Sequence, residues 1–195
     1  MSKEADEIKG LYFPCLDHGF VALKDYMGGD ADIAEAARVS YGAGTKKTSD
    51  DRALIRYMVS HRHTSPLEMV ELKFHVRLPI FVARQLIRHR TANVNEYSLR
   101  YSLPSMQFYV PEHEQVGTQS KSNKQGRGDR VLDVHYLRAV TQWHRLQGES
   151  IDLYEAFVDP DVDMARELAR MHLPLSIYTE WYWKLDLHNL FHFLG

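Results

Sequence analysis

The chain has 195 residues, 44% hydrophobic and 26% charged, with a formal net charge of −2. That length carries one domain with its own core, and the near-neutral charge excludes a global field that would draw in nucleic acid or an anionic membrane. A single cysteine, Cys15, excludes an intrachain disulfide and a cysteine-based zinc site. Residues 1–10 are charged, without a signal stretch, and no apolar run approaches membrane-spanning length. Together these features lead us to expect a cytoplasmic protein.

Residues 19–27 read as a strand closed by Gly28-Gly29-Asp30. Asp30 or Asp32 should cap a helix with Ile33, Ala36, Ala37 and Val39 inward. Ser49 or Asp50 starts another, bearing Leu54, Ile55 and Met58 and ending near His61-Arg62-His63. Residues 67–78 give the clearest strand: Val70, Leu72, Phe74, Val76 and Leu78 alternate with Glu71, Lys73, His75 and Arg77, so one face is dry and one polar. Pro79 ends it and suits the first turn of a helix over 80–90, with Ile80, Ala83, Leu86 and Ile87 inward. Residues 95–101 are read as extended and 107–110 as a short strand. Residues 114–129, rich in Gln, Ser, Lys, Asn and Gly, are expected to form a mobile surface loop. Helical periodicity covers 130–157, interrupted or bent at Gly148, and returns over 163–172 until Leu173-Pro174. Residues 175–185 alternate, with Ile177, Thr179, Trp181 and Trp183 on one side, and a last helix begins near Asp186. Trp181, Tyr182 and Trp183 read as strand packing.

This order lacks the regular βαβ spacing of a doubly wound fold, and no GxGxxG or GxxxxGK[ST] loop is present. The chemistry is concentrated in residues 88–101, which hold Arg88, His89, Arg90, Asn93, Asn95, Glu96, Ser98 and Arg100. Arg84 and Arg88 are four apart on one helix face, where like charges repel by roughly 0.2–0.5 kcal/mol. A bound anion reverses that sign, because guanidinium forks match phosphate. The extended reading sets Glu96, Ser98 and Arg100 on one side and Tyr97, Leu99 and Tyr101 on the other. Two readings stay open on spacing alone: a site for an anionic heteroaromatic ligand, or a salt-bridged surface.

Arg88-His89-Arg90-x-x-Asn93-x-Asn95-Glu96-x-Ser98-x-Arg100 closely resembles the RHRxxSxNExSxR signature of flavin-dependent thymidylate synthases, the ThyX family. His63-Thr64-Ser65-Pro66-Leu67-Glu68 resembles the family's H-x-[ST]-P-x-E segment, and Leu78-Pro79-Ile80-Phe81-Val82-Ala83-Arg84-Gln85 the entry to its signature helix. Arg170-x-x-Leu173-Pro174, Tyr178-Thr179 and His188-x-x-x-His192-Phe193-Leu194 resemble its C-terminal blocks, so the likeness covers residues 20–195. Asn93 stands where the signature usually has Ser; it keeps donor and acceptor capacity.

The resemblance implies a single α+β domain with a mixed or antiparallel sheet flanked by helices. It implies reductive methylation of dUMP to dTMP, with 5,10-methylenetetrahydrofolate giving the carbon and NADPH reducing a bound FAD. By match to the motif, Gln85, Arg88, Glu96, Tyr97, Ser98, Leu99, Arg100 and Arg170 bind dUMP, with Arg170 from a neighbouring subunit. By the same match His63, Ser65, Arg88, His89, Arg90, Glu96, Asp186, His188 and His192 bind FAD. Shared sites imply a homotetramer. The family continues past its His-Phe-Leu block to an arginine that polarises the uracil; this is expected beyond Gly195, with the chain as given short of the family's C-terminal segment and no catalytic residue of that kind within it. No metal is expected: His188 and His192 have helical metal spacing, but Asn189 stands where an HExxH motif has Glu. Ser98 lacks a recognisable triad, so a ligand hydrogen bond is the better role. The competing readings are an inactive nucleotide- or flavin-binding fragment and a nucleic-acid-binding module. The charge and the lack of a binding motif argue against the second.

Overall fold

The structure, a computed structural model, describes residues 3–39 and 50–195. A short helix α1 (Lys3–Ile8) leads into β1 (Phe13–Cys15) and β2 (Gly19–Met27). Helices α2 (Asp30–Val39) and α3 (Asp51–Ser60) follow, then a 3-10 turn at Leu67–Met69, β3 (Glu71–Pro79), α4 (Ile80–Leu86) and β4 (Asn93–Glu96). A hairpin of β5 (Gly117–Gln119) and β6 (Arg127–Arg130) precedes the 26-residue α5 (Asp133–Val158). The chain ends with α6 (Arg166–Ala169), a 3-10 turn at Arg170–His172, β7 (Tyr178–Asp186) and α7 (Leu187–Leu194).

The expected α+β architecture is present: one sheet in the order β1-β2-β3-β7-β4, antiparallel at every pairing. Its centre is the β3–β7 ladder, running from Glu71 opposite Asp186 to Pro79 opposite Tyr178. The alternation read in both strands survives. Val76, Leu78, Trp181, Trp183 and Leu185 are buried on one face, with Ala83 of α4 and with Leu190 and Phe193 of α7 packed against them. On the other face Lys184 pairs with Glu71 at 2.9 Å, His75 with Glu180 at 3.0 Å, and Tyr182 stacks on His75 at 5.0 Å. Charges are therefore neutralised across strands, as a half-buried polar face requires. A second core joins Ile33 and Ala37 of α2 and Met58 of α3 to Leu67 and Val70. Among the described residues no helix is long and apolar enough to cross a membrane.

Several expectations change. Asp30 and Asp32 lie inside the first turn of α2, Ala34 rather than Val39 is buried, and Val39 is 78% exposed. Asp50 is the N-cap of α3, while Ser49 lies outside the described residues. Leu67–Met69 is a 3-10 turn, so β3 starts four residues later than expected and includes Pro79. The helix after Pro79 stops at Leu86, leaving Ile87 exposed. Its end tightens, with Arg88 N–H on Gln85 carbonyl and His89 N–H on Leu86 carbonyl, because the chain must turn back to lay β4 on β7. Residues 107–110 give only a bridge from Phe108 to Ile177. Residues 114–129 hold most of a hairpin rather than an unstructured loop; Gln119 Nε2 donates to the Lys124 carbonyl and Asn123 N–H to Ser120 Oγ, polar bonds that leave no apolar signature. Gly148 does not interrupt α5. The helix expected over 163–172 is confined to α6 and its 3-10 turn.

Candidate functional site

The signature run is split between a helix end and a strand end. Arg84 and Gln85 sit exposed on α4, and Arg88, His89 and Arg90 follow in the tightened turn. The guanidinium groups of Arg84, Arg88 and Arg90 have no ion pair or hydrogen bond among the described residues. Unpaired arginines this close in sequence suit an anion, and the salt-bridged-surface reading fails for them.

Helix α7 gathers the residues matched to FAD. His89 meets Phe193 edge-on at 4.9 Å. At the other end, Leu187 N–H donates to the Val70 carbonyl at 2.8 Å, tying the His63–Val70 segment to the start of α7. That segment begins where Arg62, at φ 58°, reverses the chain after α3. His63 N–H is then held by the Met58 carbonyl at 2.9 Å. The rings of Tyr57, His61 and His63 lie nearly parallel, with Tyr57 and His61 4.0 Å apart, and His63 is exposed. Ser65 is exposed, and its carbonyl accepts from Glu68 N–H. Asp186 is the N-cap of α7; its carboxylate accepts from Asn189 N–H at 2.8 Å and Asn189 Nδ2 at 2.6 Å. The Asp186 carboxylate thus caps the helix and keeps acceptor capacity on both oxygens. His188 is half-buried and His192 exposed on the same helix. His63, Ser65, His89, Asp186, His188 and His192 thus lie on three neighbouring segments.

The second half of the run is less extended than expected. β4 ends at Glu96, and the chain then turns: the Ser98 carbonyl accepts from Tyr101 and Ser102 N–H, and Ser98 Oγ accepts from Arg100 N–H at 3.3 Å. A serine that bonds its own backbone favours a turn over a strand, so the two-sided arrangement of residues 96–101 is not formed. Tyr97 is fixed at both ends, N–H to the Glu180 carbonyl and Oη to the Leu103 carbonyl, each 2.8 Å. Leu99 is half-buried in the turn. Arg100 pairs with Glu167 at 2.9 Å and Arg166 donates to the Tyr101 carbonyl at 2.8 Å, so α6 is tied to the turn and Arg170 follows it directly in the same chain. Two partners were not read from the sequence: Glu167, and Thr179, whose hydroxyl donates to Glu96 Oε1 at 2.8 Å. The signal for Thr179 was a hydroxyl in the apolar row of β7.

A cleft of about 430 Å³ lies elsewhere, lined by Asp17, His18, Gln107, His144 and Gln147 among others, none of them a residue matched to a ligand. Asp17 is engaged there by Tyr178 Oη and by Val110 N–H at 3.0 Å. Burial pushes the Asp17 carboxyl up, but these donors outweigh it and hold it low. Burial, then Asp17, pushes the Tyr178 phenol up. These are fold-holding bonds, and the arginine run is the better candidate site.

The family model described as thymidylate synthase complementing protein (Thy1) matches residues 22–195. A flavin-dependent thymidylate synthase of Ruegeria pomeroyi is 56% identical over 183 residues, 93% of this chain and 61% of its own. One of Gluconobacter oxydans is 55% identical over 185 residues, covering 94% and 61%. The chain therefore spans about three fifths of the length of these relatives. Among solved structures, the UMP/dUMP methylase PolB of Streptomyces cacaoi bound with 5-Br UMP matches with a TM-score of 0.80 at 34% identity, over 92% of this chain and 76% of that one. The same enzyme bound with 5-Br dUMP gives a TM-score of 0.79, also at 34% identity, over 92% of this chain and 78% of the other. With the family model spanning most of the sheet, the arginine run and α7, the chain belongs to the Thy1 family of flavin-dependent thymidylate synthases.

Proposed function

We propose that the chain methylates dUMP to dTMP, using 5,10-methylenetetrahydrofolate as carbon donor and NADPH as reductant, with FAD as cofactor. The observation that carries this is the set of unpaired guanidiniums at Arg84, Arg88 and Arg90, followed in the same run by a glutamate that the Thr179 hydroxyl holds. Such donors fit a diphosphate, and the exposed His63 ring, parallel to Tyr57 and His61, suits a planar heterocycle. FAD, when bound, supplies the redox chemistry. His63, Ser65, Arg88, His89, Arg90, Glu96, Asp186, His188 and His192 hold it in this reading. Gln85, Arg88, Glu96, Tyr97, Ser98, Leu99 and Arg170 orient the nucleotide, and Arg100 takes its phosphate.

The chain's own thiol has no part in the reaction. Cys15 lies on β1, at the opposite sheet edge from β4. Four strand spacings separate those edges by about 19 Å. In this reading the enzyme works in the cytoplasm as a homotetramer, whose shared sites let Arg170 serve a neighbouring subunit.

The test is dTMP formation by purified protein supplied with dUMP, methylenetetrahydrofolate, FAD and NADPH. Flavin absorbance that survives desalting, and turnover that requires all four, are the expected results. Flavin and dUMP binding without turnover would mark a binding fragment instead, and protein that retains neither ligand would sink the reading.

A further inference from the structure

Thr179 stands in the apolar row of β7, on the face of Trp181, Trp183 and Leu185. It is 4% exposed, and aside from aromatic residues it is the one buried polar side chain among the described residues. Valine would have the same branched shape and no hydroxyl to satisfy. The hydroxyl has a use: it donates to Glu96 Oε1 at 2.8 Å. Glu96 opposes Trp181 in the β4–β7 ladder, so Thr179 is its diagonal neighbour on the same face.

Glu96 shares a short run with Arg88, Arg90 and Arg100. It pairs with none of them: Arg100 goes to Glu167, and the other two have no side-chain partner among the described residues. Thr179 is the one hydrogen-bond partner of the Glu96 carboxylate among those residues. One oxygen is held by a buried hydroxyl, and Oε2, on an exposed residue, has no hydrogen-bond partner among the described residues.

We propose that Thr179 is a positioning residue that fixes the Glu96 carboxylate so that Oε2 accepts an N–H or O–H from the bound nucleotide. This rests on the reading of the run as a dUMP site. An unpinned glutamate must be ordered when the ligand arrives, which lowers affinity. A carboxylate already held by a buried hydroxyl avoids that loss.

The experiment is calorimetric titration of dUMP into the FAD-supplied full chain and into Thr179→Val, Thr179→Ser, Glu96→Ala and the Thr179→Val/Glu96→Ala double variant. Thr179→Val is expected to weaken dUMP binding about tenfold while its melting temperature holds or rises. Thr179→Ser should bind within about twofold of the parent, and Thr179→Val should have no further effect once Glu96 is alanine. Thr179→Ala provides the same comparison through a smaller side chain if valine disturbs the sheet. Unchanged affinity in both Thr179→Val and Thr179→Ala overturns the proposal, as does an equal loss with and without Glu96, which is what a general packing defect gives. Binding by the parent without this coupling removes the role of Thr179 and leaves the nucleotide site standing. A parent that fails to bind dUMP removes both.

Discussion

Asp17 and Arg100 show how differently two charged residues act in this molecule. The Asp17 carboxylate accepts from the phenol of Tyr178, which is buried at the end of β7, and from Val110 N–H. Asp17→Ala leaves that phenol without its acceptor, and the expected loss in chemical unfolding is about 2 kcal/mol. The pH dependence has a defined sign. The lowered Asp17 pKa gives stability that is present above about pH 4 and lost as pH falls through the folded value. The raised Tyr178 pKa gives stability present below about pH 10 and lost as pH rises. A melting profile across pH should sag at both ends, and Asp17→Ala should flatten the acid side. Arg100 behaves otherwise, because its bond to Glu167 lies on the surface. Such a pair is worth about 0–1 kcal/mol of stability. Arg100→Ala should therefore leave the melting temperature within about four degrees yet weaken dUMP binding by about ten- to a hundredfold. A variant that loses stability but keeps its dUMP affinity would refute the phosphate role.

The long helix α5 carries Gly148 in its interior, and a β-carbon built there meets none of the described residues within 4 Å. Glycine in a helix interior costs roughly 0.5–1 kcal/mol relative to alanine through backbone entropy. Gly148→Ala should stabilise the chain by about that amount in urea titration. A destabilisation would mean that the helix backbone at Gly148 is closely approached in the protein as it exists in solution. The contrast is Gly19 in β2, where the same carbon would lie 2.5 Å from the Cys15 carbonyl oxygen and 2.8 Å from that of Arg77. Gly19 permits β1 and β3 to flank β2 closely, whereas Gly148 has no such role among the described residues.

At the scale of the whole molecule, the exposed apolar surface bears on assembly. Leu132 is 67% exposed, Val134 66% and Leu137 63%, all at or near the start of α5. Val134 and Leu137 are three apart and share a helix face. These residues are candidates for the subunit contact that the proposed homotetramer needs. Light scattering should give four times the 22.7 kDa chain mass, and Leu137→Glu should shift the population toward smaller species. A mass unchanged by Leu137→Glu would place the subunit contacts elsewhere.

The sequence alone determined the period-2 rows of β3 and β7, the proline that ends β3, and the chemically dense run from Arg88 to Arg100. Those features are local: alternation, proline and charge density are visible without knowing what packs on what. It also singled out Glu96 as a candidate, through the resemblance of its motif, but not the hydroxyl that holds it. Thr179 is 83 residues away, and only the pairing of β4 with β7 makes the two neighbours. Glu167 stayed hidden for the same reason, since it reaches Arg100 across a separation set by where α6 packs. The hairpin over 117–130 read as a loop because its stability comes from polar bonds and not from an apolar face. The end of the extended stretch at Glu96 was decided by Ser98 bonding its own turn, against the strand propensity of Tyr97 and Tyr101. Local pattern thus specified where the polar and charged residues concentrate, and tertiary pairing decided which of them are held in place.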